Sequence, residues 1–365
     1  MLLNLGEQRL NQTTETMDNL TYLLGAGASY HAMPVQNELI ADVARVLENL
    51  RINNPVHAMN IWGIAGIMNG GKYKSLMAKW QEIVQKCQGE LTIDTYARTL
   101  HIREEHDQLL ALKKLIDFYF HVRQFDERLY LQQDIRRGYQ PNYGMQTETT
   151  PKLRTLERHD RRYTQLLASL IRPEEKRRND LLPPGLSVLT YNYDLQLEEA
   201  LAKIFDIELR QIVRPGVEPA NIVHLNGRAA AYHLEPRGDG RHEPDVIGNL
   251  LDGNQRDTEI GYAWDKRHLE SSRFDEIVTQ TKTLVVIGYS FPQFNQETDK
   301  EIVNAPNLER IIIQDVPGMA DGLVRKVDSM IDPARREVDG KPYKGSGPII
   351  RVSAQTDVTQ FHVPV

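Results

Sequence analysis

Thr21–Leu39, with the sequence TYLLGAGASYHAMPVQNEL, is the stretch around which the rest of the chain is organised. Its apolar run Tyr22–Leu24 is typical of a buried parallel strand, and Gly25 and Gly27 follow at once. Glycine allows a sharp turn and a close approach of the backbone to a ligand. The stretch therefore predicts a strand, a glycine turn and a helix whose N-terminal N–H groups and dipole favour a phosphate.

The turn departs from the dinucleotide fingerprint G-x-G-x-x-G, because Tyr30 stands at the third glycine position. No acidic residue ends an evident second strand about twenty residues later, since Glu48 lies within a helical pattern. Both departures disfavour a hydride-transferring dehydrogenase. The alternative to a phosphate site is a turn that only packs the strand against a helix, and this stretch alone leaves both open.

The length and composition of the chain exclude several classes of protein and of binding site. A chain of 365 residues can bury a large core and suggests two modules, and its net charge of −6 disfavours direct nucleic-acid binding. The single cysteine, Cys87, excludes an intramolecular disulfide and a multi-thiolate zinc site and is expected to be a core residue. With no secretion signal or membrane-length apolar run, we expect a cytoplasmic protein that does not bind membranes.

The middle of the chain is mostly helical in pattern. After the glycine turn an apolar stripe predicts one helix, and a glycine-rich segment from Arg51 to Lys74 predicts a loop or broken helices. We therefore expect a helical domain, residues 51–180, inserted into an α/β domain of residues 18–50 and 181–365. Basic residues cluster near its end with acidic ones interleaved, which predicts a solvated face; they are Arg154, Arg158, Arg161, Arg162, Arg172, Lys176, Arg177 and Arg178.

Short apolar runs resume after Pro183-Pro184-Gly185 and alternate with helical patterns. They predict strands at Leu186–Asn192, Ile222–Gly227, Leu284–Gly288, Ile311–Gln314 and Ile349–Val352, with Ile207–Val213 as a candidate for one more. This alternation predicts an α/β fold with a doubly wound, Rossmann-like parallel sheet that carries the large inserted helical module.

In such sheets ligands bind beyond the carboxyl ends of the strands. Polar residues fall at five of these predicted ends, namely Gly25–Ser29, Asn192–Asp194, His224–Gly227, Gly288–Ser290 and Gln314–Asp315. Each alone has a structural explanation, such as a helix N-cap for Asp194, but together they indicate one ligand site. Asn192 can bind a ribose hydroxyl or a water, and a histidine of near-neutral pKa can move a proton.

Taken in order, these motifs resemble those of sirtuin-fold proteins and are more similar to the bacterial sirtuin-like NADases of anti-phage defence than to the protein deacetylases. The matching segments are Gly25–Ser29, Met33–Pro34, Asn37–Leu39, Thr190–Asp194, His224–Gly227 and Ile287–Pro292. The resemblance covers the α/β part of the chain and leaves the helical block unmatched.

The resemblance implies an NAD site. It would hold the pyrophosphate with Gly25, Ala26, Gly27 and Ser29, the phosphate and ribose side with Gly288 and Ser290, and the adenosine ribose with Gln314 and Asp315. It would also place Asn192 at the nicotinamide ribose and Asp194 at the nicotinamide amide.

Two departures from the family bear on activity. The deacetylases carry a four-cysteine zinc module where Arg228–Thr281 has no cysteine, so we expect no zinc and NAD hydrolysis rather than deacylation. The family's catalytic histidine directly precedes a glycine, and here Asn226 holds that place. His224 lies two residues earlier, on the same face of a strand at about 7 Å. His224 acting as base, Asn226 orienting the ribose without one, and binding without hydrolysis all stay open.

The sequence thus predicts an NAD⁺ glycohydrolase with catalytic Asn192, His224 and Asp194, and with Asn226 in the NAD site. We expect a defence effector whose activity is gated by homo-oligomerisation through the helical block or by an ATPase partner of the HerA type. The alternatives are a non-catalytic NAD or ADP-ribose sensor within a defence complex and, third, a zinc-free protein deacylase.

Overall fold

A computed structural model describes residues 19–52, 70–88, 92–125, 157, 159–171, 181–214, 219, 221–229, 258–262, 264, 272–338, 341–342 and 347–364. Its strands are β1 (Leu20–Leu24), β2 (Leu186–Thr190), β3 (Ile222–His224), β4 (Thr283–Ile287), β5 (Arg310–Gln314), β6 (Glu337–Val338), β7 (Lys341–Pro342) and β8 (Arg351–Gln355). The helices of the described residues are α1 (Gln36–Ile52), α2 (Gly70–Cys87), α3 (Ile93–Ile102), α4 (His106–Phe125), α5 (Arg161–Leu170), α6 (Gln196–Phe205), α7 (Leu209–Ile212), α8 (Ser272–Gln280), α9 (Gln296–Val303) and α10 (Ala320–Met330).

Six strands form one sheet in the order β3-β2-β1-β4-β5-β8, and all neighbours are parallel. Strands β2 and β3 lie on one side of β1, and β4, β5 and β8, which come later in the chain, lie on the other side. Leu24 at the end of β1 pairs with Ile287 at the end of β4. The strand order therefore reverses between these two ends, which is where open α/β sheets bind ligands.

Helices cover both faces of the sheet, as its apolar strands require. Tyr22 lies on the face that α5 and α6 cover, and the next residue, Leu23, lies on the face that α8, α9 and α10 cover. The predicted Rossmann-like α/β fold is confirmed at this level. No described helix is both long enough and apolar enough to cross a membrane.

The described elements between α1 and β2 are all helices. Helices α1 to α4 share one core around Trp80, Leu112 and Tyr119, which also contains the predicted core residue Cys87. Helix α5 instead packs on the sheet with α6. The boundaries of a separate helical domain stay a prediction, because α1 shares a core with α2 to α4.

Three predicted elements need correction. Ile207–Val213 contains the short helix α7 rather than a strand, and the last strand is Arg351–Gln355, later than predicted. Strand β3 ends at His224, before the predicted end at Gly227. Of the glycine-rich segment, Gly70 and Gly71 begin α2, while residues 53–69 lie outside the described part of the chain.

Candidate functional site

The glycine turn after β1 is fastened to the end of β4. The N–H of Gly25 donates to the Ile287 carbonyl at 3.0 Å, and the N–H of Gly27 donates to the Gly288 carbonyl at 3.0 Å. A four-residue 3₁₀ helix, Ala26–Ser29, follows directly, and α1 begins only at Gln36. The predicted helix after the turn is α1, and the 3₁₀ helix and residues 30–35 separate it from Gly25. Since both N–H groups already have protein acceptors, phosphate binding by the turn stays a prediction.

The glycines let two backbone segments touch at the reversal point of the sheet. A Cβ atom on Gly27 would lie 2.7 Å from the Cα of Gly288. A Cβ on Gly288, whose φ is +59°, would lie 2.4 Å from the Cα and the carbonyl carbon of Gly27. The turn thus has a packing role, although its partner is the end of β4 rather than a helix.

We expect Gly288→Ala to destabilise the protein by about 1–3 kcal/mol more than Gly318→Ala does, because the added methyl group overpacks the contact with Gly27. Gly318 is a matched control, since its φ is +89° and a Cβ there has no heavy atom within 4 Å. Both variants therefore carry the strain of positive φ, and only one carries the clash. Urea denaturation measures the difference, and equal losses would contradict it.

Ser29 gathers the polar residues of β1 and β2 at one point. Its hydroxyl donates to the Asp194 carboxylate at 3.0 Å and accepts from the Asn192 side-chain amide at 3.2 Å. The Tyr163 hydroxyl, 3.0 Å away, supplies the second donor. One proton and two lone pairs are then all used. The structure thus brings Asn192 and Asp194 together on the glycine turn, and all four side chains are buried.

Asp194 is the titratable group of this cluster. Burial raises its pKa to about 7, while the N–H of Gln196 and the Ser29 hydroxyl stabilise the charged form only in part. The bond from Gln196 also shows the N-cap-like role that the sequence allowed. Near neutral pH the Asp194 side chain is close to half protonated, which suits a group that takes up and releases a proton.

Both ring nitrogens of His224 have partners within hydrogen-bond distance. Its Nε2 lies 2.7 Å from Oε1 of Glu198, and its Nδ1 lies 3.3 Å from the carbonyl oxygen of Asn192. Burial opposes ionisation of Glu198, but the charge and hydrogen bond of His224 outweigh it and hold the pKa of that carboxyl below its ordinary value. Both ring nitrogens therefore already lie within hydrogen-bond distance of a buried oxygen atom, and a role of His224 as the base stays a prediction.

Asn226 does not share a strand face with His224. The chain turns after β3, where the N–H of Gly227 donates to the His224 carbonyl at 3.1 Å, so the predicted pleat spacing does not apply. The Asn226 side-chain amide donates to the Tyr191 carbonyl at 3.1 Å. The residue in the family's histidine position is therefore a buried link between the ends of β3 and β2.

The remaining predicted residues lie along the same edge. Ser290 is exposed and its carbonyl accepts from Lys326, while Asp315 caps the N–H of Val316 at 2.7 Å and has its pKa raised by burial. Gln314 is buried, and its side-chain amide binds the backbone of residues 357–362. That side chain therefore holds the C-terminal segment, and its predicted approach to a ribose stays a prediction.

Arg162 is the site residue that sequence reasoning missed. Its guanidinium donates to the carbonyl oxygens of Gly27 and Ala28 at 3.2 and 3.0 Å and pairs with Asp160 at 2.6 Å. The predicted solvated face is thus wrong for Arg162 and correct for Arg161, whose side chain is 84% exposed. The sequence signal that could have indicated a buried Arg162 is its position one helical turn before Leu166, which is buried. The other basic residues of that cluster lie outside the described residues.

A second buried cluster joins the ends of β2 and β4 on the opposite face. The rings of Tyr191 and Tyr289 stack with centroids 4.4 Å apart. Both hydroxyls donate to Asp299, at 2.8 and 2.9 Å, and burial raises the pKa of that carboxyl to about 7. Tyr191 precedes Asn192, and Tyr289 follows Gly288, so the cluster also fixes the main chain at the reversal point.

No protein-family model matches this chain, and no curated protein matches it. Among the described residues no group of three or more His, Cys, Asp or Glu side chains is arranged to hold a metal ion. Functional assignment therefore depends on the residues and contacts at this edge of the sheet.

Proposed function

We propose that the chain binds NAD⁺ and hydrolyses it to ADP-ribose and nicotinamide. The observation that carries the proposal is the meeting of Asn192 and Asp194 at Ser29 of the glycine turn. The glycine turn that carries Ser29 contacts the end of β4, where the strand order reverses, which is the position at which open parallel sheets bind nucleotides.

The reaction breaks the bond between C1′ of the nicotinamide ribose and the pyridinium nitrogen. The bonding electrons leave with neutral nicotinamide, and a water oxygen attacks C1′ of the resulting oxocarbenium ion. In the proposed mechanism the Asn192 amide orients the ribose or the water, and the Asp194 carboxylate takes the water's proton before passing it to solvent. Its pKa of about 7 suits this exchange.

His224 then acts through Asn192 rather than on the substrate. Its Nδ1 lies 3.3 Å from the Asn192 main-chain carbonyl oxygen, and its Nε2 lies 2.7 Å from Oε1 of Glu198. It is a positioning residue in this proposal, and Asp194 is the proposed base.

The burial of the Ser29 cluster supports an activity that is gated by a conformational change. Asn192 and Asp194 are only 7% and 6% exposed and Ser29 is fully buried, so NAD⁺ reaches them only if the residues that cover them move. We propose that self-association or an ATPase partner of the HerA type triggers this opening in a defence response. Light scattering that shows a lone monomer with and without candidate partners would count against gating by assembly.

A second candidate is a non-catalytic NAD or ADP-ribose sensor. It is favoured by Asn226, a residue without a titratable group whose amide is bound to the Tyr191 carbonyl where the family places its histidine. Calorimetric binding of NAD⁺ without turnover, under every activating condition, would support this candidate over hydrolysis.

Nicotinamide release from NAD⁺ tests the proposal. We expect Asn192→Ala to lower the rate at least about tenfold, because misplacing a reacting group by an ångström costs up to about a hundredfold. Asn307→Ala is the control, since Asn307 is exposed and its side-chain amide donates to the Thr279 carbonyl at 2.7 Å. Absence of nicotinamide release by the wild type with any partner, or full activity of Asn192→Ala, would overturn the proposal.

A further inference from the structure

The last turn of α4 reaches the loop that carries Asn192 and Asp194. The side-chain oxygen of Gln124 accepts from the backbone N–H of Leu195 at 2.6 Å. The amide nitrogen of Gln124 donates to the Phe120 carbonyl of its own helix at 3.1 Å, which fixes how the amide is turned. Gln124 is 1% exposed and Leu195 is fully buried, so water does not replace this bond.

Neighbouring residues strengthen the link between the helices and the site. Arg123 donates to the Ala32 carbonyl in the loop after β1 at 3.1 Å. Tyr193, between Asn192 and Asp194, packs against Phe120 with ring centroids 5.8 Å apart, and its hydroxyl donates to Asp94 of α3 at 3.2 Å. Helices α3 and α4 therefore hold the loops that follow both β1 and β2.

We propose that Gln124 is a positioning residue for the proposed hydrolysis, acting on Asp194 through the Leu195 N–H. This inference rests on the proposed function. The N–H of Leu195 belongs to the peptide group that follows Asp194, so anchoring it fixes the backbone from which the Asp194 carboxylate extends toward Ser29. A substitution of Gln124 that removes the acceptor oxygen leaves the buried Leu195 N–H unpaired, and the peptide group is then free to rotate.

The test compares Gln124→Met, which keeps the length of the side chain and removes the acceptor, with Gln108→Met. Gln108 lies in the first turn of the same helix, half-buried, and contacts Lys86 and Glu105 instead of the site. We expect Gln124→Met to lower kcat for nicotinamide release about tenfold with KM for NAD⁺ within about twofold, since the group that reacts is misplaced while the binding surface is kept. Gln124→Glu retains an acceptor oxygen for the Leu195 N–H and, in the protonated form that burial favours, a donor for the Phe120 carbonyl, so it should recover most of kcat.

Hydrogen exchange provides a second readout that does not need activity. Amides of the peptide 191–197 should exchange faster in Gln124→Met than in Gln108→Met or the wild type. An unchanged kcat in Gln124→Met, or a loss that appears equally in Gln108→Met, overturns the proposal. If the wild type releases no nicotinamide, the proposed function fails, and unchanged exchange in Gln124→Met then overturns the positioning of the loop as well.

Discussion

Arg162→Ala is expected to lower the free energy of unfolding by about 3–5 kcal/mol, because it leaves a buried carboxylate without its ion-pair partner. The side chain of Asp160 is completely buried, and its Oδ2 lies 2.6 Å from Nη2 of Arg162. The same guanidinium donates to the carbonyls of Gly27, Ala28 and Val358 and lies 4.9 Å from the ring centre of Phe361. One substitution therefore loosens the glycine turn and the C-terminal segment together.

The neighbouring arginine supplies the control. Arg161 has the same side chain on the same helix turn, but it is 84% exposed and its partner Glu157 is exposed as well. We expect Arg161→Ala to change stability by no more than about 0.5 kcal/mol. Urea denaturation of both variants measures the contrast, and similar losses would show that the buried pair contributes no more than a surface pair.

These two arginines also mark the limit of what the sequence could predict. Alternating charges near α5 predicted a solvated face, and local sequence does not separate Arg161 from Arg162 except by the position of Leu166 one turn later. The difference comes from the glycine turn, more than 130 residues earlier in the chain, whose carbonyls need a donor. Strands β1, β2, β4 and β5 were predictable because each is a local apolar run, as burial on both faces of a parallel sheet requires. Strand β8, with the sequence RVSAQ, is not such a run and was predicted too early in the chain.

The candidate site was predictable in part for the same reason. The carboxyl ends of parallel strands share one edge, so Asn192 and Asp194 could be placed near Ser29 before their contacts were known. The turn after His224 could not be predicted from the sequence, because it depends on a segment that is distant in the chain. Gly227 has a φ of +72°, and a Cβ there would lie 1.7 Å from the Glu259 carbonyl oxygen. That long-range contact ends β3 early and separates Asn226 from His224.

Asp194→Asn is expected to lower the rate of nicotinamide release by about a hundred- to ten-thousandfold, the usual cost of losing a general base. The amide keeps the size of the side chain and an acceptor oxygen for Ser29 and Gln196, but it cannot take up a proton. Asp328→Asn, on the exposed side of α10, is the control and should leave the rate unchanged.

The dependence on pH gives the same residue a second test. Because burial raises the pKa of Asp194 to about 7, its carboxylate forms only as pH rises through that value, and kcat of the wild type should rise with it. The folded protein also holds a proton there that the unfolded chain releases near pH 4, so this group makes stability fall as pH rises from about 4 to 7. Asp194→Asn should remove the rise in kcat and flatten the fall in stability.

The two measurements separate catalysis from folding. Asp299 has its pKa raised in the same way, so part of the fall in stability persists in Asp194→Asn, whereas the rise in kcat has no second source among the residues of the cluster at Ser29. A variant that stays folded and loses both its rate and its pH profile places proton transfer at Asp194. A variant that keeps its rate within about threefold of the wild type excludes Asp194 as the base, since a general base contributes at least about a hundredfold.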